Sequence, residues 1–180
     1  MVALQLNATS LLKEYINQMS VQKMHGGATH TAEEFVLAGL EASKSVENNR
    51  LVAPVMVCFA FASELFLKGE LANQGIDPCK EHSLWSLYKL LPEDRKNWVR
   101  RMYVHLVGDI EKASFEREIQ RWSKSFIEIR YWHDQTSKEQ AYFDFSNFIP
   151  NLAISLYNAY SHIDEFPIFE FPQLRGKHIK

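Results

Sequence analysis

Apolar side chains recur along most of this chain at three- and four-residue intervals, the spacing of one face of an α-helix. The clearest case is Phe115, Ile119, Trp122, Phe126 and Ile129, a seam that predicts a helix over about Asp109 to His133. Upstream, a weak first helix is expected over Ser10–Lys23, broken by His25-Gly-Gly-Ala. Thr31 followed by Glu34 reads as a capping box, opening a helix with Phe35, Ala38, Ala42 and Val46 on one face. Asn48-Asn49 ends it. The next segment, Leu51 to about Asn73, is apolar all round in its first half and carries Pro54 near its first turn. It turns polar at Glu64, Lys68 and Glu70, and Gly75 with Pro78 stops it. A short helix is expected over Glu81–Leu91, and another from Pro92 to Gly108 with acids in its first turn. A last helix over about Asn147–His162 places Leu152, Leu156 and Tyr160 at helical spacing.

Strand patterns are otherwise missing, so the expected fold class is all-α: an antiparallel helical bundle of four core helices plus short extra helices. Residues 1–163 form a single helical domain on this reading. Residues 164–180, with Phe166, Phe169 and Phe171 interleaved with Pro167 and Pro172, read as an extended C-terminal tail. The tail is placed to pack across its own bundle or across a neighbour's, and a homodimer is expected.

Composition narrows the function classes. The 180 residues suffice to bury a core with no metal or disulfide staple. The balance of 20 Lys+Arg against 22 Asp+Glu gives no support for a general nucleic-acid-coating role. The longest apolar run, Leu51–Ala62, is too short to span a bilayer, so no membrane association is expected. The first residues lack the basic and apolar regions of a signal peptide. Cys58 sits in an apolar run and Cys79 in a polar turn, and so few cysteines fit a reducing compartment. A cytoplasmic protein is the expectation.

Several signatures of chemistry do not occur: no glycine-rich phosphate loop, no His-Glu-x-x-His, no paired Cys-x-x-Cys and no Gly-x-Ser-x-Gly. No metal site and no cofactor are expected. Glu64 and Lys68 lie one turn apart on the most apolar helix. They form either a local ion pair where the helix emerges, or an interior carboxylate that needs a cation from another helix. Arg130 and His133 lie one turn apart at the end of the long helix. An Arg can stabilise phosphate charge and a His can move protons near neutral pH, which together suffice for metal-free RNA cleavage through the 2′-hydroxyl. Structurally, Arg130 would instead pair with a buried acid such as Glu64, and His133 would cap a helix end. His82, just before Ser83-Leu-Trp-Ser-Leu, reads as a capping or packing residue. Lys112, Arg117, Arg121 and Lys124 form a basic run, with Arg95, Lys96, Arg100 and Arg101 on the helix before. It reads as a solvated face unless neighbouring helices join the two into a phosphate-receiving stripe. Arg100 and His105 make a formal Arg-x4-His, but about one such match is expected by chance.

Three motifs in order, Ala62-Ser-Glu-Leu-Phe-Leu-Lys68-Gly-Glu-Leu, Glu81-His82-Ser-Leu-Trp-Ser-Leu and Phe126-Ile-Glu-Ile-Arg130-Tyr131, resemble the HEPN superfamily of bacterial helical domains. The likeness is to the branch with Glu-x3-Lys, His-x-Leu and Phe-x3-Arg-Tyr helices, and covers about Leu51 to Asp134. It implies a bundle of four or more helices that commonly dimerises. Many such domains are metal-independent ribonucleases of toxin–antitoxin or phage-defence systems. Others are noncatalytic and bind RNA, a nucleotide or a nucleotidyltransferase-type protein partner. Active members carry Arg-x4–6-His, whereas Arg130 and His133 are separated by two residues. That departure favours a noncatalytic module in which Glu64, Lys68, His82, Arg130 and Tyr131 form a polar binding or register-fixing network. The alternative expectation is a ribonuclease using Arg130 and His133.

Overall fold

A computed structural model describes residues 27–44, 52–78, 80–123, 147–161 and 166–169. Six helices run through these segments, and the described residues contain no strand. They are α1 (Ala28–Ser43), α2 (Val52–Asn73), α3 (Leu84–Leu90), α4 (Glu93–Val107), α5 (Lys112–Arg121) and α6 (Phe148–Ser161). The all-α helical bundle expected from the periodicity is the fold. The weak helix expected over Ser10–Lys23 falls outside the described residues, as does Cys79.

Local chemistry sets the helix ends. At the end of α2, Ile76 N–H donates to Leu71 O and Gly75 N–H to Ala72 O, each at 2.9 Å. Gly75 holds φ 70°, the left-handed conformation that this double closure requires. Gly108, at φ 102°, caps α4 and donates its N–H to Val104 O at 2.8 Å, and Glu93 and Asp94 stand in that helix's first turn, beside the positive end of its dipole. α3 starts three residues later than the periodicity suggests. Ser83 is its N-cap, accepting from Ser86 N–H at 3.2 Å. The Glu81 carboxylate takes the His82 and Ser83 amides at 2.9 and 2.7 Å, which holds this stretch as a turn.

The expected capping box in α1 is not formed. The helix begins at Ala28 with Gly27 before it, and Thr31 N–H already donates to Gly27 O at 3.0 Å. Thr31 is therefore inside the first turn and cannot cap it. The buried face is Ala32, Val36 and Gly39 rather than the expected one: Ala38 is exposed, Phe35 and Ala42 are half-buried, and Val46 lies outside the described residues. Small residues face inward because α2 lies very close. A Cβ at Gly39 would meet Cys58 Cβ and the Phe59 ring at 3.2 Å, and a Cβ at Gly69 would collide with Thr29 Oγ1. These contacts pair rising positions on α1 with falling positions on α2, so the two helices are antiparallel. Phe35 stays at the margin, its ring edge-on to Phe61 at 4.7 Å.

α6, last in the chain, is the enclosed centre. Every residue from Phe148 to Asn158 is buried, and the helix packs on α1, α2 and α4. Tyr103, Phe115 and Phe148 meet ring to ring at 5.0–5.7 Å, joining α4, α5 and α6. Of the long seam, Phe115, Ile119 and Trp122 are buried as expected; Phe126 and Ile129 lie outside the described residues. The tail segment 166–169 lies along α6 of its own bundle, where Asn151 and Asn158 hold its backbone.

Candidate functional site

The polar half of α2 does not emerge into solvent. Glu64 is 0% exposed, Lys68 8% and Glu70 2%, more enclosed than much of the apolar first half. A buried carboxylate needs partners, because desolvation without them costs several kcal/mol. The two acids meet that need differently, and the difference locates the candidate site.

Glu70 is fully satisfied. Arg95 Nε of α4 and Gln74 Nε2 donate to its Oε1 at 2.6 and 3.2 Å, and Tyr160 OH of α6 donates to its Oε2 at 2.5 Å. Aromatic rings wall the cluster. Tyr160 stacks on Phe66 at 5.3 Å, Trp98 stands edge-on to Tyr160 at 5.5 Å, and the Arg95 guanidinium sits 4.5 Å from the Trp98 ring centroid. Burial, then the bond to Glu70, pushes the Tyr160 hydroxyl far above its ordinary pKa. This network staples α2, α4 and α6 and has no oxygen to offer a ligand. From the sequence, Glu70 stood only as a position where the helix turns polar, and Arg95 as part of a basic run. The one signal available was that Glu70 follows Glu64 on a helix whose flanks are apolar.

Glu64 is half satisfied. Its Oε1 meets Lys68 Nζ at 2.8 Å and His82 Nδ1 at 2.9 Å. Its Oε2 is buried and has no hydrogen-bond partner among the described residues. Both expectations for Glu64 therefore hold in part: there is a local pair one turn along α2, and a second partner from outside the helix. That partner is His82, expected from the residues alone as a capping or packing residue and from the motif resemblance as a member of a polar network with Glu64 and Lys68. The turn fixed by Glu81 and Ser83 delivers the imidazole to the carboxylate. The His82 side chain is 48% exposed, so the ring spans from the interior to the surface. Beside it, Ser83 Oγ and Ser123 Oγ are 2.5 Å apart, and Leu84 N–H donates to Ser123 O at 2.8 Å. The start of α3 is thereby tied to the end of α5.

With Nδ1 against the carboxylate, Nε2 is the nitrogen left toward solvent. A carboxylate behind a histidine fixes the ring's orientation. The described residues include no cluster of three or more His, Cys, Asp or Glu that could hold a metal ion. They also include no helix long and apolar enough to cross a membrane. Arg130, Tyr131 and His133 lie outside the described residues, so the structure brings together Glu64, Lys68 and His82 alone of the predicted set.

Four cations of the basic stripe are engaged within the fold, and Lys124 lies outside the described residues. Lys96 and Lys112 share Glu93 at 3.0 and 3.1 Å, which makes α4 and α5 neighbours. Arg95 is committed to Glu70, and Arg100 Nη1 donates to Ile110 O at 3.3 Å. These cations answer acids and carbonyls of the fold, as a solvated face does. No family model, no curated protein and no solved structure matches this chain.

Proposed function

We propose that this chain is a noncatalytic HEPN-like module that acts by dimerising and by binding a nucleic acid, nucleotide or protein partner. The observation that carries this reading is the enclosure of the Glu-x3-Lys pair. Glu64 and Lys68 lie inside the bundle, and Glu64 bonds both Lys68 and His82, which is the behaviour of a register-fixing network. The unpartnered Glu64 Oε2 is the atom that a donor group from Arg130 or from a bound partner would satisfy. The short Arg130–His133 spacing weighs on the same side.

A second reading, a metal-independent ribonuclease of the toxin–antitoxin or phage-defence kind, is favoured by one specific observation. His82 is held by a buried carboxylate and keeps half its side chain in solvent, an arrangement suited to moving a proton. In that reading His82 would act beside Arg130 and His133.

The test is incubation of a mixed RNA pool with the protein in EDTA, with binding to the same pool measured in parallel. The noncatalytic module leaves the RNA intact, and its binding survives the Arg130→Ala/His133→Ala change. Cleavage by the native chain that is lost in that folded double variant, or in His82→Ala, replaces the proposal with the ribonuclease.

A further inference from the structure

Two asparagines on α6 grip an extended segment by its main chain. Asn151 Oδ1 accepts from Phe169 N–H at 2.7 Å, and Asn151 Nδ2 donates to Phe169 O at 3.2 Å. Asn158 repeats the pattern on Phe166: Nδ2 donates to its O at 2.9 Å, and Oδ1 accepts from its N–H at 3.4 Å. Each carboxamide uses one donor and one acceptor, as the edge of a β-strand would. The spacing is matched. Seven residues of helix rise about 10.5 Å and return to nearly the same face. Three residues of extended chain cover about 10 Å. Phe166 and Phe169 therefore fall on the two asparagines in antiparallel order.

The side chains add a second level of selection. The Phe169 ring is buried edge-on against Phe59 of α2 at 5.2 Å, and the Phe166 ring lies 5.3 Å from Tyr157. Pro167 and Ile168 face outward. Proline, which has no N–H, falls where no amide is needed. The groove thus asks for an aromatic residue with a free amide at two positions three apart, and asks nothing of the two between them.

We propose that this face of α6 is a docking groove for an extended Phe-x-x-Phe peptide, and that residues 166–169 are its resident occupant, displaced by a partner segment of the same chemistry. None of the four hydrogen bonds depends on the segment belonging to the same chain. Tethering acts as an effective concentration of order mM, so an incoming peptide must be abundant or must bind better than the resident. This proposal stands apart from the Glu64 site and from the reading of the chain as HEPN-like.

The probe is a fluorescent synthetic peptide of residues 164–171. It is titrated into the full-length chain and into a full-length Phe166→Ala/Phe169→Ala variant, whose groove has lost its competitor. Binding to the variant is expected to be at least about tenfold tighter than to the native chain. N-methylation of the peptide nitrogen that matches Phe169 removes the donor to Asn151 and is expected to weaken binding by about tenfold or more. This comparison changes the peptide alone and does not depend on any variant folding. In the native chain, hydrogen exchange should be slow at the Phe166 and Phe169 amides and fast at Ile168, and mM unlabelled peptide should speed the two slow sites. The proposal is overturned if the N-methyl peptide binds as well as its parent, or if mM peptide leaves exchange at both phenylalanines unchanged.

Discussion

Replacing Lys68 by Met separates a stabilising interior pair from a neutral one. Methionine keeps most of the apolar stem and removes only the charge. Lys68 Nζ stands 2.8 Å from Glu64 Oε1, on a carboxylate that is 0% exposed and whose other oxygen has no described partner. Two unit charges about 4 Å apart attract by about 4 kcal/mol at an effective dielectric constant of about 20. Removing one member of a buried pair costs about 3–5 kcal/mol, because the other charge stays behind uncompensated. His82 remains at 2.9 Å, which puts the expected cost near the lower end, at about 3 kcal/mol. At about 2–4 °C per kcal/mol for a chain of this size, the melting temperature should fall by about 6–12 °C. The assay is urea and thermal unfolding of Lys68→Met, Glu64→Gln and the double variant. The double variant should recover most of the Lys68→Met loss, since no charge is then stranded, giving a coupling energy of about 2 kcal/mol. A Lys68→Met cost below about 1 kcal/mol, or a double-variant cost equal to the sum of the singles, would refute the claim that the interior carboxylate depends on this lysine.

Gly69→Ala should destabilise the fold by about 1–3 kcal/mol despite better helix propensity, and Thr29→Ala in the same chain should restore much of it, because the added methyl meets Thr29 Oγ1; denaturant midpoints test both. Glu81 has its carboxyl pKa held below the ordinary 4.5, chiefly by the Ser83 amide, which together with the His82 amide outweighs the opposing effect of burial. A lowered folded-state value contributes stability above the unfolded pKa and loses it as pH falls through the folded one, so Glu81→Gln should flatten the native chain's loss of stability below about pH 4.5. At the alkaline end, burial pushes Tyr88 and Tyr103 up to about 12 and Tyr160 higher still. Raised values contribute stability below the unfolded pKa near 10 and lose it as pH climbs toward the folded ones, so these rings should ionise together with unfolding. Phenolate absorbance showing all 7 tyrosines titrating near pH 10, with helical circular dichroism intact, would contradict that burial.

The helices were legible wherever an apolar stripe met a strong terminator. Gly75 and Gly108 ended α2 and α4 where their backbone freedom was needed. The misreadings share a cause: the sequence does not say what lies opposite a side chain. Thr31 and Glu34 have the spacing of a cap, but Gly27 had already begun the helix. The spacing of Phe35, Ala38 and Ala42 looks like the core face of α1, yet the face buried beside α2 is Ala32, Val36 and Gly39. Asn151, Ser155 and Asn158 would pass for a solvent-facing stripe, and all three are buried. Ser155 returns its hydroxyl to Leu152 O at 2.8 Å, and the asparagines are covered by a segment that begins eight residues after Asn158. At the candidate site, Glu64 and Lys68 were visible as a pair by their spacing. Spacing did not pair His82 with them, since the contact depends on a turn that Glu81 folds and that no periodicity encodes; only the motif resemblance grouped the three.

The position of α6 also governs when this protein can fold. The helix around which α1, α2 and α4 gather is the last of the six described helices to be synthesised, at Phe148–Ser161. Until it leaves the ribosome, the faces of Phe66, Trp98 and Tyr103 that meet Tyr160 and Phe148 stay uncovered. Nascent chains of this design cannot close domain-first from the N-terminus. Until Phe148–Ser161 has emerged they expose apolar surface that invites chaperones, and termination anywhere before Phe148 leaves a bundle with no centre.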